Sequence, residues 1–314
     1  MAGEDVRDII AIGGSAGAIE AVSTIVRALP PTLPAAVAVV VHHYQRAPNI
    51  FGKILDSLQT LPATTVEDEA PLEHGRIYVP SSDRHLTIAP GSLHAIRTAK
   101  ENRARPAIDP LFRSAAKAYG RRVVGVVLTG NLDDGAAGLM AIKRAGGLAV
   151  VQDPADAMFS GMPRNALEMV EVDFRVRLVE IAALLTTAAE GKMASKRPAA
   201  GNGQPPAGPG DLMVFTCPTC HGTLRETADD NVLHYACHTG HTFGLESLMA
   251  SQDDDLEMAL WTALRVLREK VFLLDRLGKR ADEHSSQFMR ERHETERRRL
   301  EHHVATLRRV LETG

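Results

Sequence analysis

The chain has 314 residues, 44% of them hydrophobic and only 4% aromatic, with 36 Lys and Arg against 39 Asp and Glu for a formal net charge of -3. That length carries one full α/β domain and a smaller second module, and the charge balance with so few aromatics leaves neither a basic footprint nor a stacking platform for nucleic acid. The longest apolar run, around Ala35 to Val41, is too short to span a bilayer, and Glu4 and Asp5 stand where a secretory signal would be basic, so a cytoplasmic protein without membrane insertion is expected.

From Val6 to about Glu190, short apolar runs alternate with segments of helical length: IIAI, AAVAVVV, RIYV, VVGVVL and LAVV. The pattern predicts an α/β fold over 1–190, a doubly wound, mostly parallel sheet. One stretch breaks the alternation, since His85 to Ile96 reads as two short strands joined at Pro90-Gly91, an antiparallel hairpin. Residues 191–210, centred on PAAGNGQPPAGPG, have no periodicity and read as a flexible linker. A cysteine-bearing stretch follows at 211–250. Over 251–314, Leu256, Leu260, Leu264, Leu267, Val271, Leu274 and Leu277 recur at helical spacing, and the stripe resumes with Leu300, Val304, Leu307 and Leu311. Two helices folding back and a coiled-coil dimer, with self-association, both fit this stripe. Its narrowness and the mixed charges around it point to protein contacts rather than membrane.

In an open parallel sheet, ligands bind beyond the carboxyl ends of the strands. The residues there form a short set: Ser15 in Gly13-Gly14-Ser15-Ala16-Gly17, then His42 and His43, then Asp133 and Asp134 before Gly135. A serine hydroxyl needs a base to take its proton, and the base needs a carboxylate to hold its tautomer. Each residue also has a plainer use, because Ser15 could cap a helix and Asp133 or Asp134 could cap the next one. A dinucleotide fingerprint fits worse: Ile12 replaces its leading glycine, and the second strand ends in histidines rather than an acid.

The segments IIAIGGSAGAIEA, VVVHHYQRAPNIFGKIL, RIYVPSSDRHLTI, RPAIDPLFRSAA, VVGVVLTGNLDDGAAGLMAIKRAGG and VVQDPADAMFSGMPRNAL occur in this order. Together they resemble the catalytic domain of the chemotaxis protein-glutamate methylesterases, the CheB family, over about Asp8 to Leu184. The resemblance implies hydrolysis of γ-glutamyl methyl esters on methyl-accepting chemotaxis receptors or a similar methylated protein, and deamidation of receptor glutamines, with no catalytic cofactor. Carried over by motif, Ser15 matches the nucleophile, His43 the base and Asp134 the orienting carboxylate. Backbone N–H groups near Ser15 are the natural oxyanion donors. His85, Arg105, Met162 and Pro163 read more as loop-closing than as substrate-binding residues. Two-part members carry an N-terminal receiver domain, whereas Met1 here lies a few residues before the first strand, so regulation is expected from a methyltransferase, a response regulator or the C-terminal module. The chain departs from the family at Ala16, Ala18 and Asn131-Leu132, and this motivates the alternative of a catalytically silent scaffold acting through its C-terminal part.

All three cysteines, Cys217, Cys220 and Cys237, lie in one short stretch, which argues for metal ligation over a disulfide framework. Cys217-Pro-Thr-Cys220 and Cys237-His-Thr-Gly-His241 have zinc-ribbon spacing, with His241 as the fourth ligand and His238 as the fallback. Four protein ligands close a tetrahedron, so the expected zinc is structural.

Overall fold

The computed structural model describes residues 6–42, 50–193, 212–229, 232–282 and 287–313. Its elements in order are β1 (Ile9–Gly14), α1 (Ala18–Ala28), β2 (Ala36–Val41), α2 (Phe51–Asp56), β3 (Ala63–Val66), β4 (Glu69–Pro71), β5 (Arg76–Pro80), β6 (His85–Ala89) and β7 (Ser92–Ile96). There follow α3 (Ile108–Tyr119), β8 (Val123–Val127), α4 (Ala136–Arg144), β9 (Leu148–Gln152), α5 (Gly161–Met169), β10 (Phe174–Val176) and α6 (Leu178–Ala189). Seven strands form one parallel sheet in the order β10-β9-β8-β1-β2-β5-β3.

The continuous apolar runs are strands buried on both faces, as a parallel sheet covered by helices requires. Along β1, Ile9 and Ala11 join the apolar cluster with α3 and α4, while Ile10 and Ile12 join the opposite cluster with α1 and α6. The expected hairpin is β6 and β7, paired antiparallel from His85 with Ile96 to Ala89 with Ser92. It is larger than its sequence signal, because β4 adds a third strand along β7. Neither β3, β4 nor β10 stood out in the sequence, being at most four residues long.

The expected linker falls mainly on 194–211, outside the described residues. Beyond it, β11 (Leu212–Thr216), β12 (Thr223–Asp229), β13 (Val232–Cys237) and β14 (Thr242–Phe243) make a four-stranded antiparallel sheet. Its small core is built from Cys217, Leu224, Tyr235, Cys237, Phe243 and Leu248. Two long helices complete the chain, α7 (Leu245–Asp282) and α8 (Gln287–Thr313).

The chain divides into two compact units, Met1–Leu248 and Met249–Gly314, so the small sheet belongs with the α/β part. Within the second unit most positions of the expected stripe are shielded: Leu264 and Leu300 are buried, and Leu260, Leu267, Val271, Leu274, Val304, Leu307 and Leu311 are partly so. Leu256 and Leu277, at the ends of the first stretch, are exposed. Among the described residues, no helix is long and apolar enough to cross a membrane.

Candidate active site

Ser15 occupies the turn from β1 into α1. Its N–H donates to Thr129 O (3.0 Å) and its carbonyl accepts from Ala18 N (3.0 Å), so the turn is anchored to the loop after β8. Gly17, with φ 75°, supplies the left-handed residue from which α1 starts. The turn can approach α3 because Gly13 has no side chain: a Cβ there would meet Ile108 Cγ2 at 2.2 Å.

At the end of β2, His42 N donates to Gly14 O (3.1 Å), which sets the imidazole beside the serine turn. His42 Nε2 donates to Asp134 Oδ2 at 2.7 Å. The ring on this carboxylate is therefore that of His42, where the sequence resemblance assigned the base to His43. His43 opens the stretch 43–49, outside the described residues.

Asp134 is 1% exposed. Besides His42, it accepts from Ile108 N (2.7 Å), Asp109 N (3.2 Å) and Asn102 Nδ2 (2.9 Å). Burial alone would raise its carboxyl, but the hydrogen bond and charge of His42, with the Ile108 N–H and the Asn102 amide, outweigh it and hold the group below the usual carboxylate range. The Ile108 and Asp109 N–H groups open α3, so Asp134 also caps a helix, though α3 rather than the α4 that follows it. Capping and orientation of a base are here one arrangement.

Asp109 lies immediately behind. Its Oδ1 accepts from Gly135 N (3.1 Å) and Gly138 N (2.7 Å), and its Oδ2 from Asn102 Nδ2 (2.8 Å). Burial and the neighbouring Asp134 charge push its carboxyl up to about 8, against the Arg113 charge and the Gly138 N–H. Asp133, the other acid of the pair, points elsewhere: it accepts from Ser247 Oγ (2.5 Å) and Glu246 N (3.2 Å) at the start of α7, and burial raises its carboxyl.

Ser15, Ala16, His42, Asn131, Leu132 and Ser247 line, together with Asp134, a cleft of about 460 Å³. Arg105 also reaches it, but its guanidinium is bound to Asp83 (2.7 Å) and to Thr98 O. His85 is fully buried, with Nδ1 accepting from Ala107 N (3.1 Å) and Nε2 donating to Ala99 O (2.9 Å), so it holds the 99–107 loop. Burial, countered by the bond to Ala99, keeps this imidazole below its ordinary pKa. Met162 N donates to Gly130 O (2.8 Å), and its buried side chain backs the serine turn at Gly130. All three serve loop geometry, and the sequence missed Asn102, Asp109 and Ser247, whose importance rests on contacts between distant segments.

Residues 10–185, just over half of the chain, match the CheB methylesterase family. The chain belongs to that family. It is 38% identical over 178 residues to a protein of Leptospira interrogans, spanning 56% of this chain and 92% of the relative, which bears the name protein-glutamate methylesterase/protein-glutamine glutaminase with the qualifier putative. A Yersinia pestis protein-glutamate methylesterase/protein-glutamine glutaminase is 38% identical over 177 residues, covering 55% of this chain and 50% of its own length. The crystal structure of the Thermotoga maritima CheB methylesterase catalytic domain superposes with a TM-score of 0.54 at 28% identity, covering 57% of this chain and 97% of that one.

This CheB-family chain carries a second cluster beyond the matched region. Cys217, Cys220, Cys237 and His241 bring their ligand atoms within 4.8 Å of one another. Sγ of Cys220 and Cys237 are 3.6 Å apart, and His241 Nδ1 lies 3.6 Å from Cys237 Sγ and 3.8 Å from Cys217 Sγ. Gly240, with φ 95°, turns the chain so that His241 reaches the thiols. The fallback, His238, is exposed and faces Thr239 Oγ1 at 3.5 Å.

Proposed function

We propose that this protein hydrolyses γ-glutamyl methyl esters on methylated chemotaxis receptors and deamidates their glutamines, with Ser15 as nucleophile, His42 as base and Asp134 as the group that orients it. The observation that carries the reading is the 2.7 Å bond between His42 and the buried Asp134, in the cleft that Ser15 shares.

With Nε2 engaged by Asp134, Nδ1 of His42 is left to receive the Ser15 proton as Oγ attacks the ester carbonyl. The tetrahedral intermediate collapses when His42 returns that proton to the departing methoxide, releasing methanol; for a glutamine side chain the leaving group is ammonia. Water, deprotonated by His42, then attacks the acyl-enzyme and frees the glutamate and the serine hydroxyl. Asp134, held below the usual carboxylate range, stays ionised and stabilises the imidazolium. The Ser15 N–H is occupied by Thr129 O, so the oxyanion donors we assign are the next N–H groups, those of Ala16 and Gly17 at the start of α1.

The Cys217, Cys220, Cys237 and His241 set suits zinc, being three soft thiolates and one imidazole. Zinc would supply rigidity to a small sheet with little core of its own, and four protein ligands leave no position for a reacting water. The reaction belongs in the cytoplasm, and the charged faces of α7 and α8 suit contacts with partner proteins.

Release of labelled methanol from a methylated receptor tests the reading. Wild type should release it and Ser15→Ala should not; equal release by both would overturn the esterase mechanism.

A further inference from the structure

The segment that leaves the metal-type cluster does not trail away from the catalytic domain. Thr242 O accepts from Asn102 N (2.8 Å), Gly244 N donates to Asn102 Oδ1 (2.8 Å), and Glu246 N and Ser247 Oγ donate to Asp133. Asn102 and Asp133 are in turn the neighbours of the catalytic carboxylate: Asn102 Nδ2 donates to Asp134 Oδ1, and Asp133 precedes Asp134 in the chain.

We propose that Asn102 is a positioning residue through which the segment Thr242–Ser247 becomes a working part of the active site: its amide ties Gly244 to the Asp134 carboxylate, and so sets the orientation of His42. The inference rests on the esterase reading above, and it concerns residues outside the Ser15, His42 and Asp134 set.

The amide has only one sense that satisfies every neighbour. Its NH₂ faces two carboxylates, Asp109 at 2.8 Å and Asp134 at 2.9 Å, and its oxygen faces the Gly244 N–H. Turned over, the oxygen would oppose the carboxylates and the NH₂ would oppose the Gly244 donor. The two carboxylates and the Gly244 N–H therefore select the same sense of the Asn102 amide. Asn102 itself sits at φ 48°, a left-handed conformation that asparagine tolerates better than most residues, and it is buried.

Close approach on the other side is equally specific. A Cβ at Gly244 would fall 2.1 Å from Asp133 Oδ2, so only glycine allows the segment to lie this near the Asp133-Asp134 pair. Asp133 then caps α7 through Glu246 N and Ser247 Oγ, which fixes the helix start and places Ser247 in the wall of the catalytic cleft. The segment Thr242–Ser247 is thereby joined to the catalytic loop by a buried polar network, in which removal of one member leaves the others unsatisfied.

Two substitutions in the full-length protein test this, read by hydrolysis of a peptide carrying a glutamate γ-methyl ester and by the proton resonance of the His42 Nε2–H. Asn102→Asp keeps an acceptor for Gly244 but removes the donor to Asp134. Gly244→Ala removes no cleft side chain but displaces the segment, Ser247 with it. Both should lower kcat, Asn102→Asp by about tenfold or more, with KM within about twofold, because the lost bond is one to a charged group. Both should also shift the His42 resonance, which a merely structural loss would leave in place. Should Gly244→Ala fail to fold, Ser247→Ala, which removes one hydroxyl from Asp133, takes its place with the same two readouts. An unmoved His42 resonance in the folded variants, or a loss confined to KM, overturns the proposal. Ser15→Ala in the same assay separates the two claims, since its retained activity would sink the esterase reading while the resonance still decides the role of Asn102.

Discussion

Asp134 and Asp109 cap each other's helices. Asp134 accepts the Ile108 and Asp109 N–H groups at the start of α3, and Asp109 Oδ1 accepts the Gly135 and Gly138 N–H groups at the start of α4. Two buried carboxylates are thus held side by side with the Asn102 amide between them, and their pKa values diverge, Asp134 lowered and Asp109 raised.

This divergence gives opposite pH effects on stability. Asp109 is pushed up to about 8, so between the ordinary carboxylate pKa and that value the folded state binds a proton that the unfolded state does not. Stability should fall as pH rises through this window, by at most about 1.4 kcal/mol per pH unit, and flatten above it. Asp134, lowered, contributes stability that is present above the ordinary range and lost only as pH falls through its folded value. Denaturant unfolding between pH 5 and 9 checks the first effect: Asp109→Asn should remove part of the downward slope, and a variant with the wild-type slope would refute the assignment.

The histidine pair can be separated directly. His42→Ala should reduce kcat by roughly 10³-fold or more, as loss of a general base that works together with its nucleophile does, whereas His43→Ala should leave kcat within about tenfold. The reverse order would return the base to His43. Asp134→Asn should be nearly as damaging as His42→Ala, since the amide favours the wrong tautomer.

Gly130 provides a test of nucleophile placement. A Cβ there would lie 2.9 Å from Ser15 Cβ and 3.1 Å from Met162 Cε and Sδ, so Gly130→Ala must displace the serine or the methionine. Ester hydrolysis should drop roughly 10- to 100-fold, the cost of misplacing a reacting group by about 1 Å. Unchanged turnover would mean that Met162 absorbs the methyl group and that the serine turn is not held as described.

The cysteine cluster predicts bound metal. Purified protein should contain about one zinc per chain, and Cys220→Ser should lose it, with lower thermal stability. Elemental analysis and a melting curve read both. Metal-free protein with the wild-type melting temperature would remove zinc from the account.

Much of the scaffold is legible in the sequence. The runs at Ile9–Ile12 and Val37–Val41 read as buried strands because period and burial are properties of a few consecutive residues, and Pro90-Gly91 marks its hairpin by turn chemistry alone. Ser15 was legible for the same reason, sitting at a strand end within a glycine turn. The strands β3, β4 and β10 were not, since pairing with a neighbour rather than intrinsic pattern makes them strands.

By itself, then, the sequence determined the doubly wound sheet, the serine turn, the spacing of the thiols and the leucine stripes of α7 and α8, all set by local stereochemistry and by which side chains avoid water. Tertiary structure decided between neighbours of identical chemistry. His42 meets the buried carboxylate, and Asp134 faces the cleft while Asp133 turns to the start of α7. Asp133 and Asp134 carry the same functional group but point in different directions, and only the elements packed around them, α3 against Asp134 and the segment Gly244–Ser247 against Asp133, determine which direction leads to the site.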